Sequence, residues 1–440
     1  MTTDKDFKRL VRERAAKTGE RYSAARAQLA RPDQSPSKSS KASEVTPAAA
    51  ESGHSAGSNP ETCALRNALA RLGLPLSEAM VLGVGGGLGG GYMAITHGMT
   101  GFMIGARALW WDTDGFVKQA CERLGVPVTF HQTSSAAVGE KQALEALADG
   151  TPPLVWLDQS YLPYSNLPSF FHKGGYHVAL LYELDPAQDR AVIGDVGKRP
   201  FTVSARELAA ARKSITNYKH RTARLALPEG GLDLRRPALD GVAACVEGLV
   251  TGFNKSCTMD GFRLWGESVL GKSSGKKGDR TWETLFPPGR DLFRALTSTY
   301  RFVEQWGGEG LLRPLYAEFL EEAAALTGRK ALREAAELYR RCGELWHQVA
   351  RAALPDEVAP LRERRELLDR SRKAILTQGD AGIEEIQGAV GRMESLAAAK
   401  MAFPLGGGEI RDLFDDLGGK ILAAHAAEVA AREVLTRVAA

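Results

Sequence analysis

Residues 176–197 read YHVALLYELDPAQDRAVIGDVG, two apolar runs rich in Val, Leu, Ile and Tyr on either side of a short polar turn. Runs of that length flanking DPAQD predict an antiparallel β-hairpin. His177 opens the first strand and Asp195 closes the second. The register that pairs Leu184 with Gln188 also sets His177 directly opposite Asp195, which would put their Cβ atoms about 5 Å apart. A slip of one residue would send them to opposite faces. A carboxylate facing an imidazole fixes its tautomer and orientation, so the pair suits a base that takes a proton from a nucleophile. The same residues also suit plainer roles, His177 as a hydrogen-bonded core histidine and Asp195 as a strand-end residue before Gly197.

Upstream of the hairpin, LVWLD (154–158) is a further strand, followed by the Pro/Ser/Asn-rich SYLPYSNLPS (160–169). Helices are expected over Glu61–Leu72, Gly115–Leu124 and Glu140–Ala148, with a short strand at Pro127–Gln132. Cys63 falls in the first turn of the first of these helices. Unpaired backbone N–H groups and the positive end of the helix dipole favour a thiolate there, although free cysteine is more often a small core residue. The N–H of Cys63 is the natural first oxyanion donor, and Asn59 is the nearest upstream polar side chain that could add a second. From Gly83 to Gly91 seven of nine residues are glycine. That stretch, with Gly86 and Gly87 at its centre, suits either the lining of a narrow channel or tight packing beside the helix. Asp158, Tyr161 and Tyr164 lie on a strand end and loop before the hairpin, where they can contact an amine or serve the turn. Beyond Leu227 apolar residues recur every three to four positions, as in a helical bundle.

The expected organisation is therefore a short basic helical arm (1–30), a flexible linker (31–59), an α+β domain (60–227) and an all-α domain (228–440). Of 440 residues, 57 are Lys or Arg and 53 are Asp or Glu. Residues 1–60 hold eleven of the bases and seven of the acids, so the remainder carries 46 of each sign and no net charge. A neutral body has no general electrostatic reason to bind nucleic acid or anionic lipid. The first residues, MTTDKDFKRLVRER, lack the apolar run of a secretion signal, and no stretch is apolar for the ~20 residues that span a bilayer. A cytoplasmic protein is expected. The five cysteines (63, 121, 245, 257, 342) are widely spaced with no CxxC pair, which argues against a disulfide framework and leaves no metal site in view. Gly266–Ser273 (GESVLGKS) satisfies the phosphate-loop pattern but lacks a convincing strand before it, and a helix ending in a loop is expected there.

A helix-borne cysteine followed about a hundred residues later by a hairpin carrying His and then Asp is the chain order of papain-like folds. TCALRNALARLGLPLSEAMVLGVGGGLGGGY (62–92), LVWLDQSYLPY (154–164), YHVALLYELD (176–185) and IGDVG (193–197) resemble the N-terminal domain of butirosin biosynthesis protein H. DGFRLWGESV (260–269) and GGEGLLRPLYAEFLEEAA (307–324) resemble the helical domain of unassigned function that usually follows it. The disordered basic N-terminal extension is not part of that pattern. The resemblance implies a papain-like acyltransferase that binds no cofactor of its own. An acyl group would pass from the phosphopantetheine arm of an acyl carrier protein to a cysteine, and then to the amine of an aminoglycoside-like acceptor. Matched by position, Cys63 takes the place of the nucleophile, His177 of the general base and acid, and Asp195 of the orienting carboxylate. Thr62 stands where the family often has a histidine. A cysteine peptidase or amidase would use the same three residues with water as acceptor, and a binding protein could keep the fold without the chemistry. His172 and His97 are the next candidate bases.

Overall fold

The computed structural model describes residues 53–96, 100–167, 176–272, 280–398 and 403–439, which belong to one compact unit spanning 49–440. The basic arm, residues 31–52 of the expected linker, His97 and His172 lie outside the described residues. The α+β half begins with α1 (Pro60–Arg71), which has proline in its first turn and Asn59 as N-cap, its side chain accepting from the Thr62 N–H. Helix α2 (Glu78–Val84) is capped by Ser77 and takes the start of the glycine stretch into a helix. A small hairpin, β1 (Tyr92–Ile95) and β2 (Gly101–Ile104), precedes α3 (Thr113–Leu124), β3 (Val128–His131), α4 (Ala136–Ala148) and β4 (Leu154–Asp158). Then come β5 (Tyr176–Asp185), β6 (Arg190–Gly194), β7 (Phe201–Val203), α5 (Ala205–Ser214) and β8 (Thr222–Leu225). Apart from β1 and β2 the strands form one antiparallel sheet in the order β3-β8-β4-β5-β6-β7.

The hairpin forms where expected but in a different register. Asp185 Oδ1 accepts from the N–H groups of Ala187 and Gln188, an Asx turn that closes a four-residue loop and pairs Asp185 with Arg190. A bulge at Tyr182 then shifts the pairing by one, so that Leu181 faces Ile193 and Leu180 faces Gly194. Continued by one residue, this register sets Asp195 opposite Ala179, and His177 is its diagonal neighbour on the same face rather than its direct partner. Without the bulge, Asp195 would oppose an even-numbered residue and point away from His177.

The helical half runs through α6 (Arg235–Gly248), α7 (Asp260–Val269), α8 (Trp282–Leu285), α9 (Arg290–Arg301), α10 (Arg313–Thr327) and α11 (Ala331–Ala353). It ends with α12 (Ala359–Thr377), α13 (Ile383–Ala398) and α14 (Gly407–Ala439). The phosphate-loop match falls on the end of α7, where the Lys272 N–H bonds the Glu267 carbonyl; helix, not strand, occupies its first residues.

The two halves share one core, in which Leu65, Trp156 and Leu180 cluster with Trp265, Phe319 and Leu435. The glycine stretch is where they fit together. A Cβ on Gly83 would sit 2.2 Å from the Phe319 ring, and one on Gly87, whose φ is +66°, 2.4 Å from Tyr316. Side chains of the helical half thus fill the space beside Gly83 and Gly87, and Gly86 and Gly87 are both buried. Arg313 fastens the contact. Fully buried, it pairs with the equally buried Glu428 and donates to the carbonyls of Gly89 (2.9 Å), Ala106 (3.2 Å) and Leu311 (2.7 Å). Trp346 Nε1 donates to the same Glu428 oxygen at 2.8 Å. Removing one member of such a pair strands a buried charge. Arg313→Met is expected to cost about 3–5 kcal/mol, read as a lower midpoint in urea unfolding.

Candidate active site

His177 and Asp195 meet as diagonal neighbours rather than as the direct partners expected. His177 Nε2 lies 2.7 Å from Asp195 Oδ2, and both residues are buried. The carboxylate has two further donors, the Tyr164 hydroxyl to Oδ2 (2.9 Å) and the Val196 N–H to Oδ1 (2.7 Å). Tyr164 is itself held by stacking on Phe201 at 3.9 Å between ring centroids. Burial alone would raise the Asp195 carboxyl, but the charge and hydrogen bond of His177, with the Val196 and Tyr164 donors, hold it below the usual range. Burial would likewise lower His177. The charge and hydrogen bond of Asp195, followed by the charge of Glu61, outweigh that and raise it, while Arg372 works the other way.

Cys63 is not joined to this pair through His177. Helix α1 starts at Pro60, so Cys63 sits one position deeper than expected and its N–H closes the first turn on the Asn59 carbonyl (2.9 Å). The amide expected to serve an oxyanion is therefore already used. The thiol points toward the carbonyls of Asp195 (3.5 Å) and Ser55 (3.6 Å), and receives Asn67 Nδ2 at 3.4 Å and Arg66 Nη2 at 3.6 Å. No hydrogen bond links it to His177 among the described residues. Burial, with the charge of Glu78, pushes the thiol well above its ordinary range. Asn59 serves as the α1 cap, and Thr62 donates its hydroxyl to Glu78 (2.6 Å).

Residues 59–196 match the family described as butirosin biosynthesis protein H, N-terminal, and residues 206–377 match a domain of unknown function (DUF4872). The first of these matches takes in most of the α+β half. No curated protein matches the chain. The matched family segment opens at the α1 cap and closes one residue after Asp195, so the whole His–Asp arrangement lies inside it.

Around this family core, residues 53–59, expected as linker, form an ordered strap. His54 Nε2 lies 2.9 and 3.0 Å from the carbonyls of Asp195 and Gly197, and Nδ1 lies 2.9 Å from the Tyr182 hydroxyl. With two carbonyls at Nε2, that nitrogen carries the proton and Nδ1 accepts; burial keeps the ring neutral by lowering its pKa. Asn67 binds Ser55 through both main-chain groups, at 3.0 Å each. Glu78 accepts from the N–H groups of Ser58 and Asn59. Asp158 is buried as the cap of a 3-10 turn, bonded to Ser160 and Ser214, and is spoken for by structure rather than open to an amine. Tyr161 is half-buried against the core behind the hairpin. No helix among the described residues is long and apolar enough to cross a membrane.

The His177–Asp195 pair has a defined pH signature. Since the folded pKa of His177 is above its ordinary 6.5, its contribution to stability is full below that value and lost as pH rises through the folded pKa. Asp195, held below its ordinary 3.8, contributes above that value and loses its part as pH falls through the folded pKa. NMR titration of the His177 ring should give a pKa above 6.5, and Asp195→Asn should lower it. An unchanged His177 pKa in Asp195→Asn would contradict the electrostatic account.

Proposed function

We propose that the chain is an acyltransferase of specialised metabolism, moving an acyl or aminoacyl group from a carrier-protein thioester to an amine. The observation that carries this reading is the buried 2.7 Å contact of His177 with Asp195 inside the family segment. The neutral imidazole donates Nε2–H to Asp195, which leaves Nδ1 as the basic nitrogen. The amine adds to the thioester carbonyl as Nδ1 takes its proton, giving a tetrahedral oxyanion and an imidazolium. The oxyanion collapses, the C–S bond breaks, and the imidazolium returns the proton to the leaving thiolate. The products are an amide and the free thiol of the phosphopantetheine arm. In this scheme the acyl group passes directly to the acceptor. A relay through Cys63 is disfavoured by its raised pKa, its spent amide and the absence of a hydrogen bond to His177. The acceptor fitting the family name is an amino sugar of the aminoglycoside kind, the donor an acyl carrier protein, and the setting the cytoplasm.

Incubation with an acyl-loaded carrier protein and an amine tests this. Amide should form, His177→Ala should lower the rate by about 10²–10⁴-fold, and Cys63→Ala should stay within an order of magnitude of wild type. Intact-mass spectrometry should show no acyl adduct on Cys63. An adduct on Cys63 together with an inactive, folded Cys63→Ala would establish the covalent route instead. Free acid as the only product would make the protein a hydrolase of the peptidase or amidase kind. No product would leave a binding protein of this fold.

A further inference from the structure

The helical half reaches the His–Asp site through α12. The Lys198 N–H donates to the Leu376 carbonyl at 2.8 Å, and a Cβ on Gly197 would come within 2.4 Å of the Ile375 carbonyl. The Thr202 N–H adds a 2.8 Å bond to Asp380. The end of α12 is thereby locked to the segment that follows Asp195. One turn back, half-buried Arg372 extends Nη2 to the Ser58 carbonyl at 3.2 Å. Its Nε is buried with no hydrogen-bond partner, and no carboxylate lies within ion-pair distance of the guanidinium among the described residues. Its charge nevertheless acts on Asp195, Glu309, Glu78, Cys63 and His177. A guanidinium offers five N–H donors, and leaving buried ones unfilled costs stability unless something else fills them. Arg313 shows the contrast, with all three nitrogens engaged by Glu428 and three carbonyls.

We propose that Arg372 is the anion-binding group of this site, receiving the oxyanion that forms on the thioester carbonyl when the amine adds beside His177. This role rests on the acyl-transfer reading. It answers a need that α1 leaves open. The N–H of Cys63 is bonded to the Asn59 carbonyl and that of Thr62 to the Asn59 side chain, so neither is free to face an oxyanion. A guanidinium, which keeps its charge in proteins, stabilises the negative charge that develops beside the dyad. The domain of unknown function thus contributes chemistry to its neighbour.

Two measurements on the full chain separate this proposal from the reaction it serves. In the first, sulfate is the probe anion, titrated at constant ionic strength while the His177 ring resonances are followed. Wild type should show a saturable shift, Arg372→Lys a weaker one and Arg372→Met none. No shift in wild type, or an equal shift in Arg372→Met, overturns the anion site. In the second, kcat for amide formation should fall by about 10²–10³-fold in Arg372→Met with KM little changed, and Arg372→Lys should recover part of it. An active wild type with unaltered kcat in Arg372→Met overturns the oxyanion role. If wild type makes no amide yet the sulfate shift depends on Arg372, the transfer reading fails and the anion site stands. Thermal unfolding of both variants checks that a null result is not loss of fold; Arg372→Lys keeps the charge if Arg372→Met does not fold.

Discussion

Parity in a single strand decides whether His177 and Asp195 can meet at all. Side chains alternate along β5, even positions such as Val178 and Leu180 entering the core shared with the helical half and odd positions such as Ala179 and Leu181 the smaller core behind the hairpin. His177 is odd-numbered, so its imidazole is on the second side. The Asx turn at Asp185 would have sent the Asp195 carboxylate to the first. The extra residue at Tyr182 corrects the phase. Tyr182 also holds His54 at the back of the Asp195 main chain, so the irregularity that aligns the dyad also anchors the strap behind it.

The same neighbourhood treats its two candidate reactive groups in opposite ways. Asp195 is surrounded by donors, and three of them supply the solvation that burial removes. Cys63 is the reverse case: two carbonyl oxygens stand as acceptors for its S–H, and the nearby carboxylate of Glu78 opposes a negative sulfur. Arg66 and Asn67 donate to it, yet both also serve the Ser55 carbonyl. A thiolate would need a helix dipole or a cation engaged with the sulfur alone. Cys63 has its own amide bonded to the Asn59 carbonyl, so no free N–H of α1 is its own.

Much of this was legible in the sequence where local rules act. LVWLD was read to the residue as β4, and the hairpin and the helical second half followed from their periodicities. His177 with Asp195 survived an incorrect register because the error was of two residues, which preserves the face. Cys63 lies in α1 as expected, but the helix starts one residue earlier, which ties its N–H to the Asn59 carbonyl. Tyr164 was noticed for the wrong partner, an amine instead of Asp195. His54 and Arg372 were not noticed. His54 lies in a Ser/Gly/Ala-rich stretch that reads as linker, and its order comes from α1 and the hairpin. Arg372 belongs to a helix with four other arginines, Arg362, Arg364, Arg365 and Arg370, and nothing in that run of sequence marks which of them turn inward.

The interlocking of glycine and aromatic across the two halves has an evolutionary meaning. Gly83, Gly85 and Gly87 are concavities cut to the shapes of Phe319, Phe116 and Tyr316, and two of those three rings come from the helical half. A recombination event near residue 227 would inherit the hollows without the rings that fill them, together with the carbonyls of Gly89 and Ala106 but not the arginine that caps them. The pair of halves can diversify only as one heritable block, each substitution on one side narrowing what the other side can become.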